Sequence, residues 1–237
     1  MNVPIFSLCH ATARLPDGWR PAYQAWLENC DNPSQVEYVL AMDLADRERF
    51  PTSLSFPRIG EIGASPCGPR LPQIIWTFNP GAQNAVAAWN CAAAASNGRF
   101  IIQVADDLWP PLHWDTELLK VIPDLDGEYA IEVRTGTSAD DEWRRLMAHS
   151  FLTRKYYERY GYLFHPDYEG MYADDEFSEK ARRDGVMIDT RHLLFHHHHW
   201  IRTNIPFDEI YARQNSQERY DLGLKILGQR RAQGFPK

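Results

Sequence analysis

Two adjacent carboxylates, Asp106 and Asp107, close the apolar run Phe100-Ile-Ile-Gln-Val104 and are soon followed by Pro110 and Pro111. The run reads as a buried strand. A parallel strand ending in acids at the rim of an α/β sheet is a common way to hold a divalent cation through hard oxygen ligands. The same pair would also begin an ordinary turn, because Asp and Pro both favour turns. Downstream, His196, His197, His198 and His199 stand inside the chain. On a strand continued from Leu193 they alternate between faces, so one ion takes 196 and 198, or 197 and 199. Imidazole donors favour Mn2+ over Mg2+.

The elements that must position these groups alternate along the first half of the chain. Apolar runs at 5–9, 37–42, 74–78 and 100–104 read as strands, and 21–29, 85–96 and 114–122 read as helices. Pro21 lies in the first turn of its helix, and Asn97-Gly98 ends the Ala-rich one. Strands joined through helices form right-handed βαβ units, so the strand ends meet on one edge of a mostly parallel sheet with helices on both faces. The loop His10-Ala-Thr12-Ala-Arg14, Asp43, the loop Asn79–Asn84 and Asp106–Asp107 therefore converge. Farther on, strands are expected at 129–133, 150–153, 186–188 and 193–195, with a polar helix over 140–148. Another helix covers 155–160, stopped by Gly161. An aromatic loop follows at 162–172, and an acidic helix start at 173–181 suits the helix dipole. Residues 51–72, rich in Pro and Gly, form a loop long enough to serve as a lid. The residues after 207 read as a C-terminal helix.

Composition narrows the function. The 237 residues carry 32 acids against 25 Lys and Arg, a net charge of −7. That balance argues against a nucleic-acid polymer as partner, since phosphate contacts need clustered basic residues. No apolar run is long enough to span a bilayer, and the start of the chain lacks the pattern of a signal peptide. Cys9, Cys30, Cys67 and Cys91 are too widely spaced for a zinc site and read as reduced thiols, which implies a cytoplasmic protein. The eight Trp residues offer faces that stack on sugars or bases. For Trp109, Trp114 and Trp143, core packing is the better reading.

Asn90, Gly98 and the strand 100–104, followed by Ala105-Asp106-Asp107, fall at the spacing of a helix Asn, a Gly and an Asp-x-Asp strand end. Leu152-Thr-Arg154 with Tyr160-Gly161-Tyr162, and Tyr172-Ala-Asp174-Asp-Glu176-Phe177, follow in the matching order. In these blocks the chain resembles the GT-A fold glycosyltransferases, and most of all glycosyltransferase family 2. The resemblance covers roughly residues 3–200. It implies a GT-A, Rossmann-like single α/β domain over 1–205, with 206–237 as a C-terminal helical extension. It implies an enzyme that moves a sugar from a nucleotide-diphosphate donor to a hydroxyl of a glycan or other acceptor. Two departures stand out: Ala105 replaces the first Asp of the Asp-x-Asp, and Ala173 replaces a Glu before Asp174.

Such a transfer needs the departing diphosphate neutralised and the acceptor hydroxyl deprotonated. The expected ligands of a Mn2+ or Mg2+ ion are Asp107, then His197 and His199, since the resemblance places a His in the metal shell. Asp174 falls on the family's catalytic Asp and is the expected general base, with inversion at the anomeric carbon. An N-cap is the alternative reading of Asp174. Asp43 is expected to accept a hydrogen bond from a nucleobase N–H. His10, Thr12, Asn84 and Asp106 are expected on the donor, Asp106 at its ribose or sugar, and Arg14 and Arg154 on phosphate. The rival reading is a non-catalytic nucleotide-sugar or glycan binder on the same scaffold, and Ala105 supports it. A metal-dependent phosphohydrolase would need a further acidic motif.

Overall fold

The computed structural model describes residues 3–15, 17–49, 62–63, 74–81, 83–141, 145–198 and 207–237. An eight-stranded sheet lies at the centre. Its strands are β1 (Phe6–Ala11), β2 (Val36–Asp43), β3 (Ile62–Gly63), β4 (Ile74–Asn79), β5 (Phe100–Val104), β7 (Ala130–Arg134), β8 (Phe151–Thr153) and β9 (Met187–Leu194). They lie in the order β3-β4-β2-β1-β5-β8-β7-β9. The four strands β4, β2, β1 and β5 run parallel, β3 and β8 run against their neighbours, and β7 pairs parallel with β9. A two-stranded ribbon pairs β6 (Leu108–Trp109) with β10 (His196–His197). Helices α1 (Arg20–Glu28), α2 (Ala85–Ala95), α3 (Trp114–Val121), α4 (Arg154–Tyr160), α5 (Ala173–Arg183), α6 (Glu209–Gln214) and α7 (Gln217–Ala232) complete the chain. This is the mostly parallel α/β architecture of the GT-A fold.

Side-chain alternation along the strands builds a core on each face. Phe6 and Leu8 of β1 face a cluster with Trp26, Trp114, Phe151 and Phe195. Cys9 faces a second cluster with α2, Tyr156, Tyr168 and Ile226. Trp26 stacks on Phe195 at 5.6 Å and donates its indole N–H to the Leu108 carbonyl at 2.8 Å. The ribbon is thereby fixed to the first core. The turn into β5 passes close over β1: a Cβ on Gly98 would stand 2.4 Å from Ser7 Oγ. Only glycine fits there, and its N–H donates to that hydroxyl at 2.7 Å.

Two sequence expectations are corrected. No α-helix forms over the described part of 140–148; Asp140 ends a 3-10 turn, Ser138–Asp140. Asp140 accepts hydrogen bonds from the backbone N–H groups of Thr135 and Gly136, and Arg145 has a left-handed backbone (φ 44°) while bonded to Glu132. Side chains thus hold the backbone on either side of the segment in turns. The histidine run does not extend β9 either. Phe195 turns into the core, and His196 and His197 instead lie opposite Trp109 and Leu108. The expected strands at 186–188 and 193–195 are otherwise one strand, with an irregular register against β7 between Glu132 and Arg134. The expected lid over 51–72 lies outside the described residues, apart from Ile62–Gly63.

The C-terminal helices pack on the domain. Buried Glu176 of α5 accepts two bonds from Arg230 of α7, at 2.6 and 2.9 Å, and one from the Tyr168 hydroxyl at 3.0 Å. Arg230→Met strands that carboxylate and should lower unfolding stability by about 3–5 kcal/mol in urea titrations. Lys180 stands beside the pair, 3.9 Å from Glu176 and 3.5 Å over the Tyr160 ring. Burial, abetted by Arg230 and opposed by Glu176, pulls the Lys180 ammonium down to about 8 from its ordinary 10.5. Between those pH values the unfolded chain binds the extra proton, so this group adds stability as pH rises and withdraws it as pH falls through 8. Lys180→Met removes that dependence. Its stability relative to wild type should fall by on the order of 2 kcal/mol between pH 7 and pH 10, read by urea unfolding at both.

Candidate active site

The carboxyl ends of β1, β2 and β5 open into one cleft. It is lined by Thr12, Arg14, Asp43, Asn84, Asp106, Asp107, Asp174 and His197 among others. The register explains the meeting: His10 lies beside Val104 across β1 and β5, so the residues just past each strand end are neighbours.

Asp106 is tied to β1. His10 Nε2 lies 2.9 Å from its Oδ1, the Thr12 hydroxyl donates to Oδ2 at 3.0 Å, and Arg14 Nε stands 3.7 Å away. Behind it, the other ring nitrogen of fully buried His10 meets the Tyr38 hydroxyl at 2.5 Å. Asp107 faces the opposite way. Its Oδ1 lies 3.4 Å from His197 Nε2, and its Oδ2 accepts from the Tyr211 hydroxyl at 2.6 Å. Burial raises the Asp107 carboxyl, but His197 and Tyr211 outweigh it and hold the group well below the usual carboxylate range. The same contact, with burial, pushes the Tyr211 phenol up.

Asp43 ends β2 and is almost fully buried. Asn79, at the end of β4, donates to its Oδ1 at 2.8 Å. Burial pushes this carboxyl up against that hydrogen bond. Asn84 caps α2, accepting from the Ala87 N–H at 2.7 Å, and still lines the cleft. Asp174 sits in the first turn of α5. The N-cap residue is Tyr172, so the capping role considered for Asp174 falls to another position. Arg14 is ion-paired with Asp208, which caps α6, and lies 4.7 Å over the Tyr211 ring.

Arg154 is not in the cleft. Its guanidinium donates to the Gly98 carbonyl at 3.0 Å and to Ser96 Oγ at 2.7 Å, where β5 begins. That is the far end of the strand from Asp106, and Arg154 clamps the α2–β5 turn there. His199 and Trp143 lie outside the described residues. Trp114 is core, whereas Trp109 is 40 % exposed against His198. Alternation survives within the histidines: His197 turns to Asp107, while His196 and His198 stack together at 4.3 Å. Asn90 serves as a brace, accepting from the Leu163 and Phe164 N–H groups and donating to the Phe164 carbonyl at 2.7 Å.

Sequence reading missed three cleft residues: His149, Tyr211 and Arg213. His149 packs edge-on to His197 at 4.9 Å. It stands just ahead of β8, whose antiparallel run against β5 brings it to the acidic end, a direction the sequence does not label. Tyr211 and Arg213 come from α6, whose short polar sequence offers no motif.

No protein-family model and no curated protein matches the chain. Solved structures do. The mannosyltransferase PcManGT of Pyrobaculum calidifontis, in complex with GDP-Man and Mn2+, superimposes with a TM-score of 0.56 at 14% identity, over 98% of this chain and 76% of that one. Residues 1–349 of S. aureus TarS, in complex with UDP-GlcNAc, superimpose with a TM-score of 0.56 at 13% identity, over 94% of this chain and 66% of that one. The longer TarS structure gives 0.55 at 12% identity, and this chain spans 42% of it. The protein therefore has a GT-A-like glycosyltransferase fold. Among the described residues no helix is long and apolar enough to cross a membrane.

His10→Phe tests the support behind the site. It leaves Asp106 Oδ1 and the Tyr38 hydroxyl facing an apolar ring, and should cost about 2–4 kcal/mol in urea unfolding; Thr12→Val, removing one donor, should cost about 1 kcal/mol.

Proposed function

We propose that this protein is a glycosyltransferase that moves a sugar from a nucleotide-diphosphate donor to an acceptor hydroxyl. The observation that carries the reading is the convergence of Asp43, Asp107 with His197, and Asp174 on one cleft at the carboxyl edge of a GT-A-like sheet. Asp43 and Asp107 flank β1, two inter-strand steps or about 10 Å apart, a span that suits a nucleoside with its diphosphate. Asp43 is the base contact, accepting a ring N–H. Asp174 is the general base: it takes the proton of the acceptor hydroxyl as that oxygen bonds the anomeric carbon and the bond to the diphosphate breaks. In-line attack of this kind inverts the anomeric centre.

The residues fit a divalent cation by their chemistry. Asp107 and His197 pair one hard oxygen donor with one imidazole, a set suited to Mn2+ and compatible with Mg2+. Among the described residues no third ligand-type side chain joins them, which leaves further positions to donor phosphates and water. When bound there, the ion supplies positive charge to the leaving diphosphate. Ala105 favours a second reading, a binder of nucleotide-sugars without transfer.

UDP-, GDP- and dTDP-sugars with Mn2+, scored for nucleotide release, separate the two. Transfer predicts release that is lost in Asp107→Ala and falls at least a hundredfold in Asp174→Asn. Metal-dependent nucleotide binding with no release from any donor, whatever acceptor is added, would sink transfer and leave the binder. Tyr211→Phe should tighten Mn2+ in calorimetry several-fold, because it frees an oxygen of Asp107; weaker binding would mean that Tyr211 holds Asp107 in place for the ion.

A further inference from the structure

One short element meets most of the acids in the cleft. Asp208, the N-cap of α6, is ion-paired with Arg14, whose Nε stands 3.7 Å from Asp106. Tyr211 of α6 donates its hydroxyl to Asp107 Oδ2 at 2.6 Å. The positive charge of Arg213, also on α6, acts on the buried carboxyl of Asp43. Asp43, Asp106 and Asp107 thus face one helix and its cap. The rest of its fastening is polar as well. Six residues alone do not hold a helix in water, and among the described residues neither hydrophobic core takes a side chain from α6. Tyr211 is buried beneath Arg14 and against Phe207, and Gln214 accepts from Arg219. By contrast α7 gives Ile226 and Leu227 to the second core, and it has its own cap in Ser216. Its first turn therefore does not depend on α6.

We infer that α6 is an autoinhibitory latch: Asp208, Tyr211 and Arg213 hold it on the acids of the cleft, and a divalent cation at Asp107 releases it. The latch rests on the reading of Asp107 and His197 as cation ligands. A cation there draws on the same carboxylate whose Oδ2 already takes the Tyr211 proton, and its charge repels that O–H. The closed and open forms exchange without the cation, and the cation selects the open one. Its apparent affinity is then its intrinsic affinity multiplied by the fraction of chains that are open. Weakening any tie of α6 raises that fraction, including a tie that does not touch Asp107.

Asp208 provides the test. It ties α6 through Arg14 and through the Tyr211 N–H at 2.9 Å, neither of them a cation ligand. Calorimetry of the full chain with Mn2+ should show about three- to tenfold tighter binding in Asp208→Ala than in wild type. Asp208→Asn, which keeps a cap and loses the charge, should gain less. Hydrogen exchange read by mass spectrometry gives a second measure on the unaltered chain. Saturating Mn2+ should speed exchange of the amides of 209–215 by about tenfold and leave those of α7 unchanged. Unchanged or slower exchange in 209–215 with Mn2+ bound, or Mn2+ binding that is no tighter in Asp208→Ala, would make α6 a fixed part of the site and overturn the latch; the glycosyltransferase reading would stand. Mn2+ binding by Asp208→Ala and not by wild type would show the latch at its strongest. Mn2+ binding by neither would bring down the cation reading together with this one.

Discussion

Two neighbouring carboxylates half sunk in a sheet edge repel each other and lose water, and the fold must compensate each separately. The backbone past β5 solves this by pointing them apart. Asp106 turns to β1, where His10 and Thr12 hold both its oxygens. Asp107 turns to the ribbon and to α6, where His197 and Tyr211 do the same. Three elements distant in sequence are thereby bound to one dipeptide. The two acids consequently differ in kind. Asp106, engaged on both oxygens by the first strand, is part of the frame. Asp107, whose partners come from a short ribbon and a short helix, faces the cleft beside an imidazole.

A second anchor lies on the other side of the cleft. Asp174 lines the cleft because α5 begins where it does. The buried Glu176–Arg230 pair fixes the first turns of α5 to α7, with the Tyr168 hydroxyl filling a further lone pair of the carboxylate. Close packing adds to it: a Cβ on Gly223 would come within 2.3 Å of the Met171 carbonyl, just ahead of α5. The C-terminal helices thus set the position of Asp174 through α7 and contribute Tyr211 and Arg213 through α6. What reads as an extension in sequence behaves as part of the site in three dimensions.

The parallel half of the sheet was legible because its strands are apolar runs separated by helices of ordinary length, and that pattern admits few topologies. The acid pair, Asp43 and the loop 10–14 were legible for the same reason, since all sit at strand ends. Arg154 misled because a residue beside a strand carries no label for which end of the sheet it occupies; β8 runs antiparallel, so its C-terminal end lies where β5 starts. The histidine run alternates as expected, but Phe195 turns into the core and parts it from β9, and a two-residue ribbon has no period to read. Residues 140–148 have helical composition, yet Asp140 prefers two backbone N–H groups of the preceding turn. Tyr211 and Arg213 are placed by tertiary packing of a six-residue helix, and nothing local in their sequence encodes it.

Ala105 looks at first like a lost ligand, and the geometry gives it another meaning. It lies half-buried against the first core and also lines the cleft. A carboxylate there would be a fifth acid in a site that already sets four against two guanidiniums, one of them engaged by Asp208. Without a further cation such a group would raise the cost of admitting any anionic ligand. Asp106 cannot stand in for it either, because both its oxygens are already bonded to β1. Of the two strand-end acids, Asp107 is the one that stands beside an imidazole of the ribbon, that of His197. Tyr211 reaches Asp107 and Arg213 lines the same cleft, so residues from the last thirty positions of the chain shape the site as much as the strand that first drew attention to it.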